Sequence, residues 1–194
     1  NIGNPPSNPP FPENISGLVT IKVGDKITTD HIIPAGSKMK YRSNVPKYSE
    51  FVFEIVDDTF FTRASKIRDS GKHNIIVAGL SYGQGSSREH AALCPMYLGV
   101  KAVLAKSFER IHTANLINFG IIPLTFQSDE DYEALERGDQ IEINQAREHL
   151  KKNEPFPIKN ITKGTEFQAG HHLSERQRSI LLAGGLLPYT KHEK

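Results

Sequence analysis

The apolar and polar positions of this chain alternate between strand-like and helix-like stretches. Short apolar runs and every-other-residue alternation of β-branched side chains indicate strands. Six segments fit this pattern: GLVTIKVG (17–24), EFVFEIV (50–56), NIIVAGL (74–80), VKAVLAKS (100–107), IIPLTF (121–126) and DQIEIN (139–144). After Asn74 the run 74–80 is apolar, so it predicts a strand that is buried on both faces.

Helical segments are predicted between and after these strands. Five segments qualify: FFTRASKIRDSGK (60–72), SSREHAALCPMYLG (86–99), FERIHTANLINFG (108–120), SDEDYEALERG (128–138) and SERQRSILLAGG (174–185). Ser128 is the expected N-cap of the fourth, and Ser174 with Gln177 makes a capping-box pattern in the fifth. Pro95 should limit or bend the second helix, and Gly184 should end the last. Strands that alternate with helices predict an α/β domain with a largely parallel central sheet.

Two stretches depart from this alternation. Residues 1–14 hold five prolines and four asparagines, which predicts an extended linker or strap, with a disordered tail as the alternative. The domain proper is predicted to occupy residues 15–194. The segment from Asp25 to Tyr48 is predicted to be a long polar loop, and loops of that length in compact domains are often functional.

Composition narrows the class of protein but not its activity. The net charge is +2, with 24 basic and 22 acidic residues, which gives no general attraction to nucleic acid or membrane. The single cysteine, Cys94, excludes an internal disulfide and indicates a reducing compartment. No apolar run is long enough to span a membrane, and no signal-peptide pattern is present. Because the chain begins at Asn1 without an initiator methionine, we expect a processed product or part of a longer polypeptide.

The stretch YGQGSSREH (82–90) carries the clearest candidate chemistry. It follows the most apolar predicted strand and opens a predicted helix, which is where ligands bind in open α/β sheets. Gly83 and Gly85 allow close approach of a ligand, and Arg88 offers a guanidinium fork that suits a carboxylate or phosphate. The alternative is structural, since Ser86 and Glu89 fit an S-x-x-E capping box. The stretch lacks the lysine of a P-loop, the third glycine of a dinucleotide fingerprint and the serine spacing of a nucleophile elbow.

Two long motifs resemble the C-terminal swivel domain of the aconitase family. YGQGSSREHAAL with GVKAVLAKSFERIHTANLINFGIIPLTF resembles its serine-containing loop and the following core, and GDKITTDHIIPAGSKMKYRSN (24–44) resembles its opening loop. The motifs occur in the family's order, and the resemblance runs from about Leu18 to the final helix. It implies an aconitase-like swivel domain, a layered β/β/α fold with a largely parallel central sheet.

The resemblance also implies a reaction and roles for five residues. The family dehydrates and rehydrates citrate-like tricarboxylates, isomerising citrate and isocitrate through cis-aconitate. Ser86 matches the base that removes a proton beside a carboxylate, and Asp30 matches an active-site acid that holds an arginine or relays a proton. Ser87, Arg88 and Arg42 match ligands of the substrate carboxylates. His31 and His90 stand beside these motifs and could each orient a neighbour, but the sequence assigns them no chemistry.

The resemblance further implies a [4Fe-4S] cluster in the complete enzyme. Such clusters need several cysteine thiolates, and Cys94 is more simply a small core residue, so this chain is not expected to bind the cluster. The cluster would then lie on other domains of the same polypeptide or on a large subunit, and the isolated chain would be inactive. Two alternatives stay open: the small subunit of a two-chain isopropylmalate or homoaconitate dehydratase, and an RNA-binding module of a cluster-free relative. The expected location is the cytoplasm, or the mitochondrial matrix in a eukaryote.

Overall fold

The computed structural model describes residue 6 and residues 8–192. Within these residues the chain forms seven strands: β1 (Ile15–Lys22), β2 (His73–Ala78), β3 (Val100–Ala105), β4 (Ile122–Phe126), β5 (Gln140–Ile143), β6 (Phe156–Asn160) and β7 (Thr165–Gly170). No helix of the described part is both long and apolar enough to cross a membrane.

Short helices connect and cover the strands. They are α1 (Thr29–Ile32), a 3₁₀ helix (Gly36–Tyr41), α2 (Val45–Ser49), α3 (Phe60–Asp69), α4 (His90–Tyr97), α5 (Arg110–Asn118), α6 (Asp129–Ala134), α7 (Ala146–Lys152), α8 (Glu175–Ala183) and α9 (Leu186–His192). Ser128 caps α6 by accepting a hydrogen bond from the Asp131 amide, as predicted. Ser174 and Gln177 form the predicted capping box of α8, and Gly184 ends that helix with φ near +98°.

The strands form one closed barrel in the order β1-β2-β3-β4-β7-β6-β5, and β5 returns to pair with β1. Strands β1 to β4 are parallel, whereas every pairing that involves β5, β6 or β7 is antiparallel. The predicted layered β/β/α fold with a largely parallel central sheet is therefore wrong. A mixed barrel takes its place, because the last third of the chain adds antiparallel strands to both edges of the parallel set.

The closing strands carry little signal in the sequence. β6 is only five residues long and contains Pro157, and β7 exposes most of its side chains. The two form a hairpin whose turn uses Gly164 at φ near +67°. The hairpin covers β4 and β5 covers β1, so the edges that an open parallel sheet would leave unpaired are both occupied.

Two clusters of buried apolar side chains lie on opposite faces of β2. Ile75 and Val77 belong to a cluster to which all seven strands contribute, so this cluster fills the barrel. Ile76 and Ala78 belong to the other, which helices α1 to α5 share from outside. The strand is therefore buried on both faces, as the apolar run predicted.

The part of the proline-rich segment that the structure describes packs against the barrel. Phe11 is 2% exposed and lies in the cluster that fills the barrel. Its amide donates to the carbonyl oxygen of Leu182 at 3.1 Å, and Arg147 Nη1 donates to its carbonyl oxygen at 2.7 Å. Residues 8–14 thus act as a strap across α7 and α8, while residues 1–5 and 7 of the predicted linker lie outside the described residues.

Two predictions for the region before β2 are wrong. The segment 50–56 forms turns and no strand. Local folding buries Val52 and Phe53 but leaves Ile55 and Val56 exposed, and Phe53 stacks edge-on to Phe60 at 4.9 Å while its amide donates to the carbonyl oxygen of Ile32. The segment from Asp25 to Tyr48 is not a continuous loop, since it contains α1, the 3₁₀ helix and the start of α2.

Candidate active site

Two segments that follow neighbouring parallel strands are joined at the same end of the barrel. The main-chain amides of Gly83 and Gln84, after β2, both donate to the carbonyl oxygen of Ile27, after β1, at 2.7 and 3.1 Å. The amide of Thr29 donates back to Gln84 at 2.8 Å. The carboxyl ends of β1 and β2 thereby bring the two motifs singled out in the sequence into one surface, at the edge where ligands bind in α/β folds.

The glycine loop, residues 82–89, rests on a buried aromatic floor. Gly83 has φ near +92°, and a side chain there would begin 2.3 Å from the ring of His112. Tyr82 packs edge-on against the same ring at 5.3 Å. Glycine at position 83 is therefore required by both the backbone conformation and the space available.

Neither floor residue is suited to proton transfer at neutral pH. Burial lowers the pKa of His112 to about 4 and raises the pKa of Tyr82 far above its ordinary value, so both are neutral. Within the described part of the chain, the Tyr82 hydroxyl and both ring nitrogens of His112 have no hydrogen-bond partner. The sequence alone does not single out His112, because nothing in its helical surroundings marks it as lying beneath the loop.

The serines of the glycine loop do not cap a helix. Helix α4 begins at His90, and Glu89 occupies the N-cap without a side-chain hydrogen bond. Ser86 and Ser87 lie before it in an exposed bend, so the predicted helix start is four residues early and the alternative of a Ser86–Glu89 capping box is excluded. The carbonyl oxygen of Ser86 instead accepts a hydrogen bond from Thr29 Oγ1 at 3.0 Å. The hydroxyls are left available to a ligand.

A capping box does form in the opening segment. The hydroxyl of Thr28 accepts from the amide of His31 at 3.1 Å, and His31 Nδ1 accepts from the amide of Thr28 at 2.9 Å. Since Nδ1 accepts, it carries no proton in this arrangement. The box holds the single turn of α1 in place, so His31 orients its own segment, a role that the Thr-Thr-Asp-His order alone did not reveal.

Asp30 and Arg88 meet across the two segments, although 58 positions separate them in the chain. The carboxylate of Asp30 pairs with Arg88 Nη1, and the same nitrogen donates to the carbonyl oxygen of Ile33 at 3.3 Å. In the described residues, Nε and Nη2 of Arg88 make no hydrogen bond. The guanidinium is thus fixed at one corner and offers its remaining donors to an anion.

Arg42, the remaining charged residue of the predicted site, is linked to the end of the glycine loop through its backbone carbonyl group. Its carbonyl oxygen lies 2.9 Å from Nε2 of His90, the first residue of α4. Its side chain is exposed and, in the described structure, forms no hydrogen bond or ion pair with Asp30 or Arg88. The structure therefore brings Asp30 and Arg88 together next to the serines and connects Arg42 to them through its backbone alone.

The site is an open surface and not a closed pocket. A cavity of about 460 Å³ opens nearby, beside the loop after β3, but its walls include Lys106, Arg110 and His172 and none of the predicted site residues. Ser86 and Ser87 are exposed, and so is most of the Asp30 carboxylate. A reaction that needs a dry environment would require another surface to cover this one.

The chain does not offer the ligands of an iron–sulfur cluster. Cys94 is fully buried in α4, and burial raises the pKa of its thiol to about 12, which fits the core role predicted for it. Among the described residues, no group of three or more His, Cys, Asp or Glu side chains is arranged to hold a metal ion. The residues present therefore do not fit a [4Fe-4S] cluster, which needs several exposed thiolates.

Comparison with known proteins identifies two kinds of relative: long aconitate hydratases and short dehydratase subunits. The family model described as "Aconitase C-terminal domain" matches residues 23–129. The chain is 38% identical over 199 residues to a probable mitochondrial aconitate hydratase of Dictyostelium discoideum, covering 91% of this chain but 26% of that protein. It is 40% identical over 172 residues to the 3-isopropylmalate dehydratase small subunit of Aquifex aeolicus, covering 89% of this chain and 92% of that one.

A solved structure agrees with the sequence relatives. The crystal structure of 3-isopropylmalate dehydratase (leuD) from Methanocaldococcus jannaschii matches with a TM-score of 0.75 at 31% identity, over 93% of this chain and 95% of that one. The chain thus spans about a quarter of the aconitate hydratases and nearly all of the small subunits. These relatives are hydro-lyases by name, and the resemblance seen in the two motifs is confirmed. The chain belongs to the aconitase family and contains its C-terminal domain.

Proposed function

We propose that this chain supplies one face of the active site of a hydro-lyase that removes and re-adds water on a hydroxy-carboxylate with several carboxyl groups. The observation that carries this proposal is the Asp30–Arg88 pair beside Ser86 and Ser87, at the joined ends of two parallel strands. A fixed guanidinium beside free hydroxyls suits a carboxylate and the carbon next to it. Family membership favours dehydration over other reactions of such acids.

In this proposal Ser86 takes the proton from the carbon beside a substrate carboxylate. A serine hydroxyl is a weak base unless a nearby positive charge stabilises its alkoxide. Arg88, two residues further along the same bend, is the cation available, and Asp30 keeps it in place. Because α4 begins only at His90, the helix N-terminus contributes less to this stabilisation than the sequence suggested.

The remaining site residues bind carboxylates. Ser87 and the free nitrogens of Arg88 hold the carboxylate next to the reacting carbon. Arg42, whose side chain is exposed at the margin of the site, reaches a second carboxylate or a substituent further from it. The departing hydroxyl leaves with the help of groups outside this chain, since the chain's own residues do not fit a cluster. The covering surface, whether a large subunit or other domains, also excludes water.

Two complete enzymes fit this role. A two-chain dehydratase of the isopropylmalate type is favoured by the near-complete match to small subunits, with 92% and 95% of those chains covered. An aconitate hydratase is favoured by Arg42 and Lys40, two exposed basic residues in one segment, because a third carboxylate suits a basic contact and an isopropyl group suits an apolar one. The small-subunit candidate comes first, because the match extends over nearly all of those relatives and includes a solved structure. Both candidates carry out the same type of dehydration, so the reaction is proposed more firmly than the substrate.

The test is the activity of the complete enzyme that contains this chain, assembled with its cluster-bearing part. We expect hydration of cis-aconitate or of isopropylmaleate, and the preferred substrate distinguishes the two candidates. Ser86→Ala should lower kcat by about 10²–10⁴-fold, the usual contribution of a general base. Thermal unfolding of the variant should match the parent, because the Ser86 side chain makes no hydrogen bond within the described residues.

Ser179→Ala is the matched control. The Ser179 hydroxyl donates to the carbonyl oxygen of Glu175 within α8 and, in the described residues, forms no hydrogen bond with the glycine loop. Kinetics should be unchanged in this variant. Unchanged kcat in Ser86→Ala would remove Ser86 as the base, and an assembly that hydrates neither substrate would contradict the proposed function itself.

A further inference from the structure

The segment that carries Arg42 is only weakly anchored by burial. Between Ile33 and Tyr48 no side chain is fully buried: Tyr41 and Val45 are partly buried against the core, and the Tyr41 ring stacks on Phe51 with 5.6 Å between centroids. A segment with so little burial takes part of its position from contacts made by other elements. The place of the exposed Arg42 therefore also depends on a few polar contacts.

One of these contacts comes from His90. Its Nε2 lies 2.9 Å from the carbonyl oxygen of Arg42. Since a carbonyl oxygen only accepts, Nε2 must carry the proton. The imidazole packs beside the buried ring of Tyr48 with 5.2 Å between centroids, and the Tyr48 hydroxyl donates to the carbonyl oxygen of Pro34 at 3.0 Å. The ring of His90 is thus held by a neighbour that is itself tied to the same segment.

The second contact comes from Arg88, which holds the other end of the segment. Arg88 bonds Asp30 and the carbonyl oxygen of Ile33, whereas His90 bonds the carbonyl oxygen of Arg42. The two residues are separated by one position at the start of α4. One short stretch of chain therefore makes polar contacts with both ends of the stretch 30–42, in addition to the packing of Tyr41.

We propose that His90 is a positioning residue that sets the place of Arg42 in the active site. This proposal rests on the proposed function, because it assigns Arg42 a substrate carboxylate. His90 does not touch the substrate and acts only through the backbone of the Arg42 segment. Without its hydrogen bond, Arg42 still carries its charge but is no longer held at a defined distance from Ser86 and Arg88, so substrate binding weakens more than the chemical step.

The experiment compares His90→Leu with His90→Gln in the complete enzyme. The Gln side chain places an amide donor close to the position of Nε2, whereas Leu removes the donor and keeps the volume. His171→Leu is the matched control, because Nε2 of His171 also lies near a backbone carbonyl oxygen, that of Glu154, at 3.2 Å, outside the two segments that form the site. Steady-state kinetics and hydrogen exchange of the isolated chain are measured for all three variants.

We expect KM to rise about 3–10-fold in His90→Leu, the worth of one hydrogen bond, with kcat changed by less than about twofold. His90→Gln should restore most of the KM, and His171→Leu should leave it unchanged. In the isolated His90→Leu chain, the amides of Arg42 and Asn44, which donate to Met39 and Tyr41, should exchange faster. A merely structural role would lower stability without this KM effect or its rescue by Gln.

Three results would overturn the proposal: unchanged exchange of these two amides, a fall in kcat with KM unaltered, or a Gln variant as impaired as the Leu variant. Exchange is read without substrate, so it separates this proposal from the proposed function. If the parent enzyme hydrated neither substrate but the amides were released in His90→Leu, the proposed function would fail and His90 would stand as a clasp of the segment without a role in catalysis.

Discussion

The barrel interior and the candidate active site are held together by different interactions. Phe11, Ile75 and Val77 lie among apolar side chains from all seven strands and are 0–2% exposed. Asp30, Ser86 and Ser87 are exposed, and the segments that carry them are held by backbone hydrogen bonds, one capping box and one ion pair. The interior therefore resists change through burial, whereas the site keeps its geometry through a few polar contacts.

This contrast separates stability from function within a small molecule. Apolar burial contributes about 25 cal/mol per Å² and is concentrated in the barrel. The Asp30–Arg88 ion pair and the contact of His90 with Arg42 are solvent-exposed, so each contributes little to the free energy of unfolding. Substitutions in the two regions should accordingly fail in different assays, and the following tests probe that separation.

The largest expected effect is on stability, from Phe11→Ala in the strap. Removing a buried phenylalanine costs about 3–5 kcal/mol of unfolding free energy, through lost burial and the cavity left behind. The value is measured by urea unfolding, with Ile161→Ala, at 45% exposure, as the control that should change stability by less than about 0.5 kcal/mol. A loss below about 1 kcal/mol in Phe11→Ala would mean that the strap packs only loosely on the barrel.

The second prediction concerns the loss of unfolding free energy at acid pH. Burial holds the pKa of His112 at about 4, below its ordinary 6.5, so the unfolded chain binds this proton more tightly than the folded one. The contribution of His112 is therefore complete above pH 6.5 and is lost as pH falls from 6.5 towards 4. At about 1.4 kcal/mol per pKa unit, the loss is on the order of 3 kcal/mol.

A substitution of His112 separates its contribution to acid sensitivity from that of His73. Burial and the charge of Lys101 also hold the pKa of His73 at about 4, so the parent chain combines both contributions. His112→Phe should flatten the dependence of unfolding free energy on pH between 6.5 and 4, measured by urea unfolding at several pH values. A variant whose curve runs parallel to that of the parent would show that the imidazole beneath the glycine loop is not the acid-sensitive group.

The smallest effect on stability, with a clear effect on kinetics, is expected for Asp30→Asn. The Asp30 side chain is 59% exposed, so breaking its pair with Arg88 should change unfolding free energy by less than about 1 kcal/mol. Arg88 loses the contact that orients it, and KM of the complete enzyme should rise about tenfold. Lys151→Gln, which breaks another exposed ion pair, the one with Glu148 within α7, is the control. A stability loss above 2 kcal/mol with unchanged KM would reverse the contrast between the two regions.

Local signals in the sequence predicted local features of the fold. The caps at Ser128 and Ser174, the end of α8 at Gly184 and the doubly buried β2 are confirmed because each depends on neighbouring residues alone. Helix α7 was missed because Gln145, in a left-handed conformation, stands at its N-cap in place of a capping side chain. The barrel was missed because its closure depends on pairings between β1 and β5 and between β4 and β7, which are far apart in the chain.

The same limit applies to the site. Resemblance singled out Asp30, Arg42 and Arg88 by their motifs, but the contact between Asp30 and Arg88 is a product of the parallel pairing of β1 with β2. The helix start at Ser86 was predicted from a local pattern, and tertiary pairing overrode it: the hydrogen bonds to Ile27 and Thr29 draw the bend away from helical geometry. The catalytic and binding roles of these site residues stay predictions.

Closure of the barrel also limits how this protein can meet a partner. Each of the seven strands has a neighbour on both sides, so the sheet presents no free edge. Addition of a foreign strand, a common way for β-containing domains to recruit another chain, is therefore excluded for this sheet. A covering domain or subunit must bind through side chains and loops, and the open surface around Ser86 and Arg88 is then free to be recognised by shape and charge and to be released again without breaking the sheet.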